Sequence, residues 1–252
     1  YLNLSVDFDQ HTASISDNTG DISSPYSLRI GEKWDGTNPL NGSIDEVMIF
    51  NRFLSDSEIQ TLYERTNSSL HNNITDGNVL DMRFENNLND VSGQENDGDF
   101  YGGDTAIDVS NYGNNGTLSG KPIWTSGGKY NGAYDFDGSD DYITLDEVAD
   151  KMSANSNFTF SLWFKTSGSS GQGAAGGIHH SSGDNKLIIF TDSGDELRVY
   201  DGGSGEYEID TGKSVADNQW YYLVYTRNAI NGKLYLNGIN EGQHTPDYTF
   251  AS

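Results

Sequence analysis

Three loops concentrate side chains able to do chemistry. Residues 90–100 read DVSGQENDGDF, residues 108–118 read DVSNYGNNGTL, and residues 135–141 read DFDGSDD. All three carry carboxylates beside glycine, and the first two add side-chain amides; oxygens of that kind are what a hard divalent cation such as Ca2+ requires. The same residue types also form ordinary turns, because Asp and Asn bond their own backbone and tolerate positive φ. None of the loops is an EF-hand, since DFDGSDD lacks the D-x-D-x-D-G spacing and the distal glutamate.

Aromatic residues offer a second chemistry, because a sugar site needs an exposed aromatic platform beside Asp, Asn or Arg groups that bond hydroxyls. Trp163 (SLWFK) and Trp220 (QWYYLV) lie in apolar strand-like runs and belong to the core. Trp34, in the polar stretch GEKWDGTNPLNG, and Trp124, in a Pro-Ile-Trp turn, are the platform candidates, with Tyr112, Tyr200 and Tyr207 behind them. Catalytic signals are sparse. His179 and His180 have no H-E-x-x-H context and, as strand neighbours, point to opposite faces. No nucleophile elbow, phosphate loop or dinucleotide fingerprint occurs.

The elements that position these loops are short strands. Residues 42–65, GSIDEVMIFNRFLSDSEIQTLYER, run a β-prone stretch straight into a helix near 55–65. Ser55 and Glu58 form an S-x-x-E capping box, and Ile59, Leu62 and Tyr63 follow at helical spacing. Elsewhere VLDMRF, YDFDG, FTFSLWFKT, KLIIFTD, ELRVYD, WYYLVYTR and KLYLNG alternate and are bounded by Gly, Asp, Asn or Ser. That pattern belongs to an antiparallel all-β sandwich.

GSIDEVMIFNRFLSDSEI and YNGAYDFDGSDDYITL resemble the landmarks of LamG-like (laminin G, concanavalin A-like) jelly-roll domains. The resemblance implies a structural Ca2+ between the D-x-S-G-x-G-N loop and the closing I-D-E strand. The matching positions here are Asp108, Asn111 and Asn114 with Asp45, and Asp137 nearby; Asp90 and Asn96 belong to the competing copy of that loop. It also implies carbohydrate binding as a frequent role and endo-glycosidase activity as a rarer one. The nearest match to the glycosidases' E-x-D-x-x-E strand, Glu208-Ile-Asp210, lacks the second glutamate. A non-catalytic module is therefore expected.

The landmarks stand in an unusual order. The closing strand and helix lie in residues 1–66, a polar stretch fills 67–78, and the opening and middle strands occupy 79–252. Together these supply one set of strands, so the strand order is expected to be circularly permuted within one chain or domain-swapped between chains. The opening YLNLSVDFDQHT also resembles YLNGINEGQHT at 235–245, as in one period of a tandem repeat. Neighbouring copies or repeats of the chain are thus expected partners, along with glycans.

Composition narrows the remaining classes. A formal net charge of −24, from 38 acidic and 14 basic residues, repels nucleic-acid backbones and anionic membranes. Zero cysteines leave stability to the core or to bound metal. No apolar run reaches the ~18 residues of a membrane span, and the first residues lack the basic start of a signal peptide. The expected setting is a cell surface or the extracellular space. Sequons at Asn3, Asn41, Asn67, Asn73, Asn115 and Asn157 make glycosylation there a further expectation.

Overall fold

The structure is a computed structural model, and it describes residues 28–33, 36–66, 77–84, 105–146, 148, 157–168, 173–179, 186–202, 209–228 and 230–245. In chain order these form β1 (Leu28–Ile30), β2 (Asn41–Phe50), α1 (Asp56–Thr66), β3 (Asn78–Met82), β4 (Thr105–Ala106), β5 (Gly116–Ser119), β6 (Ile123–Thr125), β7 (Ala133–Asp137) and β8 (Tyr142–Leu145). There follow β9 (Phe158–Thr166), β10 (Gly173–His179), β11 (Lys186–Thr191), β12 (Glu196–Gly202), β13 (Ile209–Ser214), β14 (Tyr221–Arg227), β15 (Gly232–Leu236) and β16 (Ile239–His244).

The strands make two antiparallel sheets that face each other as a jelly-roll sandwich. One runs β13-β12-β11-β10-β1-β8-β5-β4; the other runs β16-β15-β14-β9-β2-β7-β6, with β3 also paired to β2. The segment before residue 67 thus supplies an interior strand to both sheets. β1 lies between β8 and β10, pairing Leu28 with Leu145 and Arg29 with Gly177. β2 pairs with β9 along most of its length, with β7 over Asn41–Ile44, and with β3 over Val47–Phe50. The closing strand and VLDM are therefore neighbours within one chain.

At the point where β2 exchanges β7 for β3 it carries one extra residue. Asp45 faces Trp163 and Met48 faces Ser161, so three steps along β2 match two along β9. Glu46 takes the left-handed φ of 51° that this bulge needs. A one-residue insertion reverses which face every later side chain meets. Ile44 before it and Val47 and Ile49 after it consequently all point into the core between the sheets, while Met48 and Phe50 point outward.

Both faces of this sheet are covered. Strand β9 sends Phe158, Phe160, Leu162 and Phe164 inward and Trp163 outward, and β14 sends Leu223 and Tyr225 inward and Tyr222 and Val224 outward. The outward set is sealed by Leu54 and by Ile59 and Leu62 of α1. Each such side chain contributes about 1.5–3 kcal/mol by leaving water. The helix starts where its capping box places it: Glu58 Oε2 accepts from the Ser55 N–H at 2.8 Å, and Ser55 Oγ accepts from the Glu58 N–H at 3.4 Å. The turn before the helix is fixed by Thr159 and Thr226, whose hydroxyl oxygens each accept from the Leu54 N–H at 3.1 Å.

A polar rivet joins the sheets at the far end. Arg227 on β14 donates through Nε to Asp201 on β12 at 2.7 Å, and both side chains are fully buried. The Tyr225 hydroxyl donates to the same carboxylate, and His244 on β16 lies 3.2 Å from it. Two buried charges in mutual contact cost little net stability, whereas either alone would cost several kcal/mol.

The helix cap predicts a pH dependence. Arg52 beside Glu58, helped by the Ser55 donors, pulls the Glu58 carboxyl down to about 2 against partial burial. A depressed carboxyl contributes stability that is full above its unfolded value near 4.5 and is lost as pH falls toward 2. Acid titration of stability should therefore be shallower between pH 4.5 and 2 in Glu58→Gln than in the parent; identical slopes would remove this role for Glu58.

Candidate functional site

Strand β8 carries a candidate site at each end. At its Leu145 end lies the loop of residues 107–115, and that loop is built around one carboxylate. Asp108 Oδ1 accepts from the N–H groups of Asp81 and Ser110, each at 2.9 Å. Its Oδ2 accepts from the Ser110 hydroxyl and the Asn114 N–H, both at 2.7 Å. Val109 returns a backbone bond to Asp81, and Asn114 donates through Nδ2 to the Val79 carbonyl at 2.7 Å. The D-x-S spacing thus works locally: it lets Asp108 gather its own turn and staple it to β3.

Between this loop and the end of β8 opens a cleft of about 200 Å³, lined by Gly113, Asn114, Asn115, Leu145, Asp146 and Val148. Gly113 has a left-handed φ of 66° with open space where a side chain would stand. Asn114 is buried, and its Oδ1 accepts no hydrogen bond. One residue from Gly113 the Tyr112 ring is 52% exposed, and Ile107 and Val109 are exposed beside it.

At the Tyr142 end the turn Asp137-Gly138-Ser139-Asp140-Asp141 gathers three carboxylates whose ligand oxygens all lie within 4.8 Å of one another. The turn holds its shape through Asp141, whose Oδ2 accepts from the Asp137 N–H at 2.9 Å, and through Asp137, whose Oδ1 accepts from the Ser139 N–H at 2.8 Å. A left-handed Gly138 makes the bend. Burial raises the Asp141 carboxyl above its usual range, and the charges of Asp137 and Asp140 push the same way. A divalent cation would reverse that repulsion and accept oxygen ligands from all three.

The ion-ligand set implied by the family resemblance divides in this structure. Asp108 and Asn114 stand together, but the Asp108 oxygens are taken up by the four protein donors, so an ion there would have to displace them. Asn111 is exposed on the same loop. Asp45 belongs to the β2 bulge, where its two oxygens accept from the Glu46 N–H at 2.7 Å and the Tyr130 N–H at 2.9 Å. Asp137 alone joins the carboxylate cluster, with Asp140 and Asp141, which the resemblance does not single out. The signal for those two lies in the sequence itself, as three aspartates within five residues around a glycine turn. Asp90 and Asn96 lie outside the described residues.

Of the aromatic candidates, Trp124 is half-buried against the core and donates its indole N–H to the Phe84 carbonyl at 2.9 Å, which makes it a wedge under β6. Trp163 is in the core beneath α1, with the Lys129 ammonium 4.2 Å from its ring centre. Tyr200 is buried. Trp34, Tyr207, His180, Glu206 and Glu208 lie outside the described residues. Asp210 is ion-paired with Arg198 at 3.3 Å. Among the sequons, Asn41 and Asn115 are exposed and Asn157 is half-buried, while Asn3, Asn67 and Asn73 lie outside the described residues.

If Asp108 acts as a hydrogen-bond hub, Asp108→Ala should lower stability by about 2 kcal/mol or more, because several buried donors lose a charged acceptor. Chemical denaturation should give the same loss in excess EDTA and in calcium. A loss seen only in calcium would return Asp108 to the role of ion ligand.

Searches of curated proteins and of solved structures return no match for this chain. A family model described as the concanavalin A-like lectin/glucanases superfamily matches residues 9–60 and 137–251, about two thirds of the chain. The first stretch contains β1, β2 and the start of α1, and the second runs from the end of β7 past β16, so the match takes in strands of both sheets. A two-sheet antiparallel sandwich and a family match of that extent agree: the chain belongs to the concanavalin A-like lectin/glucanase superfamily.

Proposed function

We propose that the chain is a non-catalytic, extracellular structural or adhesive module of a repetitive cell-surface or filament-forming protein, with calcium held by its 137–141 turn. The observation that carries the calcium is the convergence of Asp137, Asp140 and Asp141, with Asp141 raised by burial and by the charge of its neighbours. Calcium would tie the β7–β8 turn together, and the carboxylates themselves fix its shape. The buried carboxylates favour structural work over catalysis, since Asp45 and Asp108 serve backbone donors, Asp81 pairs with Arg83, and Asp201 pairs with Arg227. No helix among the described residues is long and apolar enough to cross a membrane. The surface setting rests on the acidity, the absent cysteines and the sequons.

A carbohydrate-binding role is the second reading, and Tyr112 favours it. Tyr112 is exposed and precedes Gly113, which lines a cleft of about 200 Å³, below the range of drug-sized pockets. Asn115 and Asp146 on its lining supply groups that bond hydroxyls.

Millimolar calcium should raise the melting temperature by roughly 5 °C, EDTA should reverse the rise, and Asp140→Asn should abolish it while leaving the calcium-free protein unchanged. A melting temperature indifferent to calcium and EDTA would overturn the ion. For the second reading, a glycan array should show binding by the parent that is lost in Tyr112→Ala; a silent array leaves the structural role alone.

A further inference from the structure

We propose that residues 28–66 form an exchangeable donor unit, able to complete a second copy of this chain as well as its own. Every ladder the unit makes is with strands beyond residue 77. β1 pairs with β8 and β10, and β2 pairs with β3, β7 and β9. The two donor strands lie in different sheets and do not pair with each other. The helix docks outward as well: Asp56 accepts from Lys233 Nζ at 2.8 Å and from the Tyr235 hydroxyl at 2.7 Å. Gly238 approaches Gln60 and Tyr63 so closely that a Cβ there would stand 2.7 Å from Gln60 Oε1.

Removal of this unit would open both sheets at once. β8 and β10 would each show an unpaired edge in one sheet, and β9, β7 and β3 would do so in the other. Such edges recruit strands of matching pattern, and the best match is the same unit from any copy of the chain. The interactions recovered are identical whichever chain provides them, so local concentration decides the outcome. Within one chain the only covalent link from the unit to its receptor is residues 67–76, NSSLHNNITD. A short polar tether of this kind sets an effective concentration on the order of millimolar. Exchange therefore becomes competitive when the protein itself approaches that range. The inference rests on strand pairing alone and stands apart from the calcium and sugar readings.

The test uses two full-length populations carrying different affinity tags, unfolded together and refolded over a range of concentrations. Species of twice the monomer mass that carry both tags should appear, and their share should rise with concentration during refolding but not on later dilution of native protein. Monomers alone at every concentration up to about 1 mM would overturn the proposal. In case refolding is inefficient, a protease site within 67–76 of the native full-length chain gives a second arm. Once cut, the protein should hold its halves together and take up an excess of labelled 28–66 peptide, whereas uncut protein should not. A cut protein that takes up no label would likewise overturn it.

Discussion

The structure depends on one extra residue in β2. This strand has a single continuous neighbour on one side and two successive neighbours on the other, and the bulge at Asp45–Glu46 sits at the change. A regular strand through this point would turn Glu46 and Met48 toward the sandwich interior and Val47 and Ile49 toward the helix. The bulge restores an apolar row on the inner face. Asp45 makes it affordable in hydrogen-bond terms, since one carboxylate receives both the displaced Glu46 N–H and the Tyr130 N–H from the turn before β7. An ionised acceptor shared between two backbone donors is stronger than the neutral ladder bonds it replaces.

Given that row, the centre of the sheet containing β2 is covered on both faces, and β9 and β14 there are buried at nearly every position. Tyr63, Tyr222 and Trp163 meet under the helix with ring centres 5.2–6.1 Å apart. The outward cluster of the other sheet is smaller: Ala174, Ile188, Phe190 and Tyr200. The two candidate sites lie at the ends of β8, in this second sheet.

Much of this was legible in the residues because it is local. Ser55 and Glu58 announce the helix by spacing alone, and the order of the landmarks announces that residues before 67 complete the strands after 78. The bulge also left a trace, as Ile44, Val47, Ile49 and Phe50 break strict alternation at the point where the extra residue falls. The site was less legible. The family pattern points to Asp108, and sequence cannot show that Asp81, Ser110 and Asn114 bring four donors to it. Asp140 and Asp141 gain their partner only when the turn closes and the Asp137 N–H reaches back to Asp141. Trp124, a platform candidate from its Pro-Ile-Trp turn, donates its indole N–H to a carbonyl forty residues away in the chain, a contact that its neighbours in sequence do not announce.

The central position of β1 and β2 also governs when the molecule can form during its own synthesis. Leu28 waits for Leu145 and Ile44 for Phe164, so β1 is made more than one hundred residues before either partner and β2 as long before β9, although β3 follows β2 closely. Neither sheet can close until β8, β9 and β10 have been made. Contacts this distant in sequence make folding slow. The helix is different: its cap and its i, i+4 bonds are complete as soon as residue 66 is made, so it is free to appear long before the sheet that will bury it.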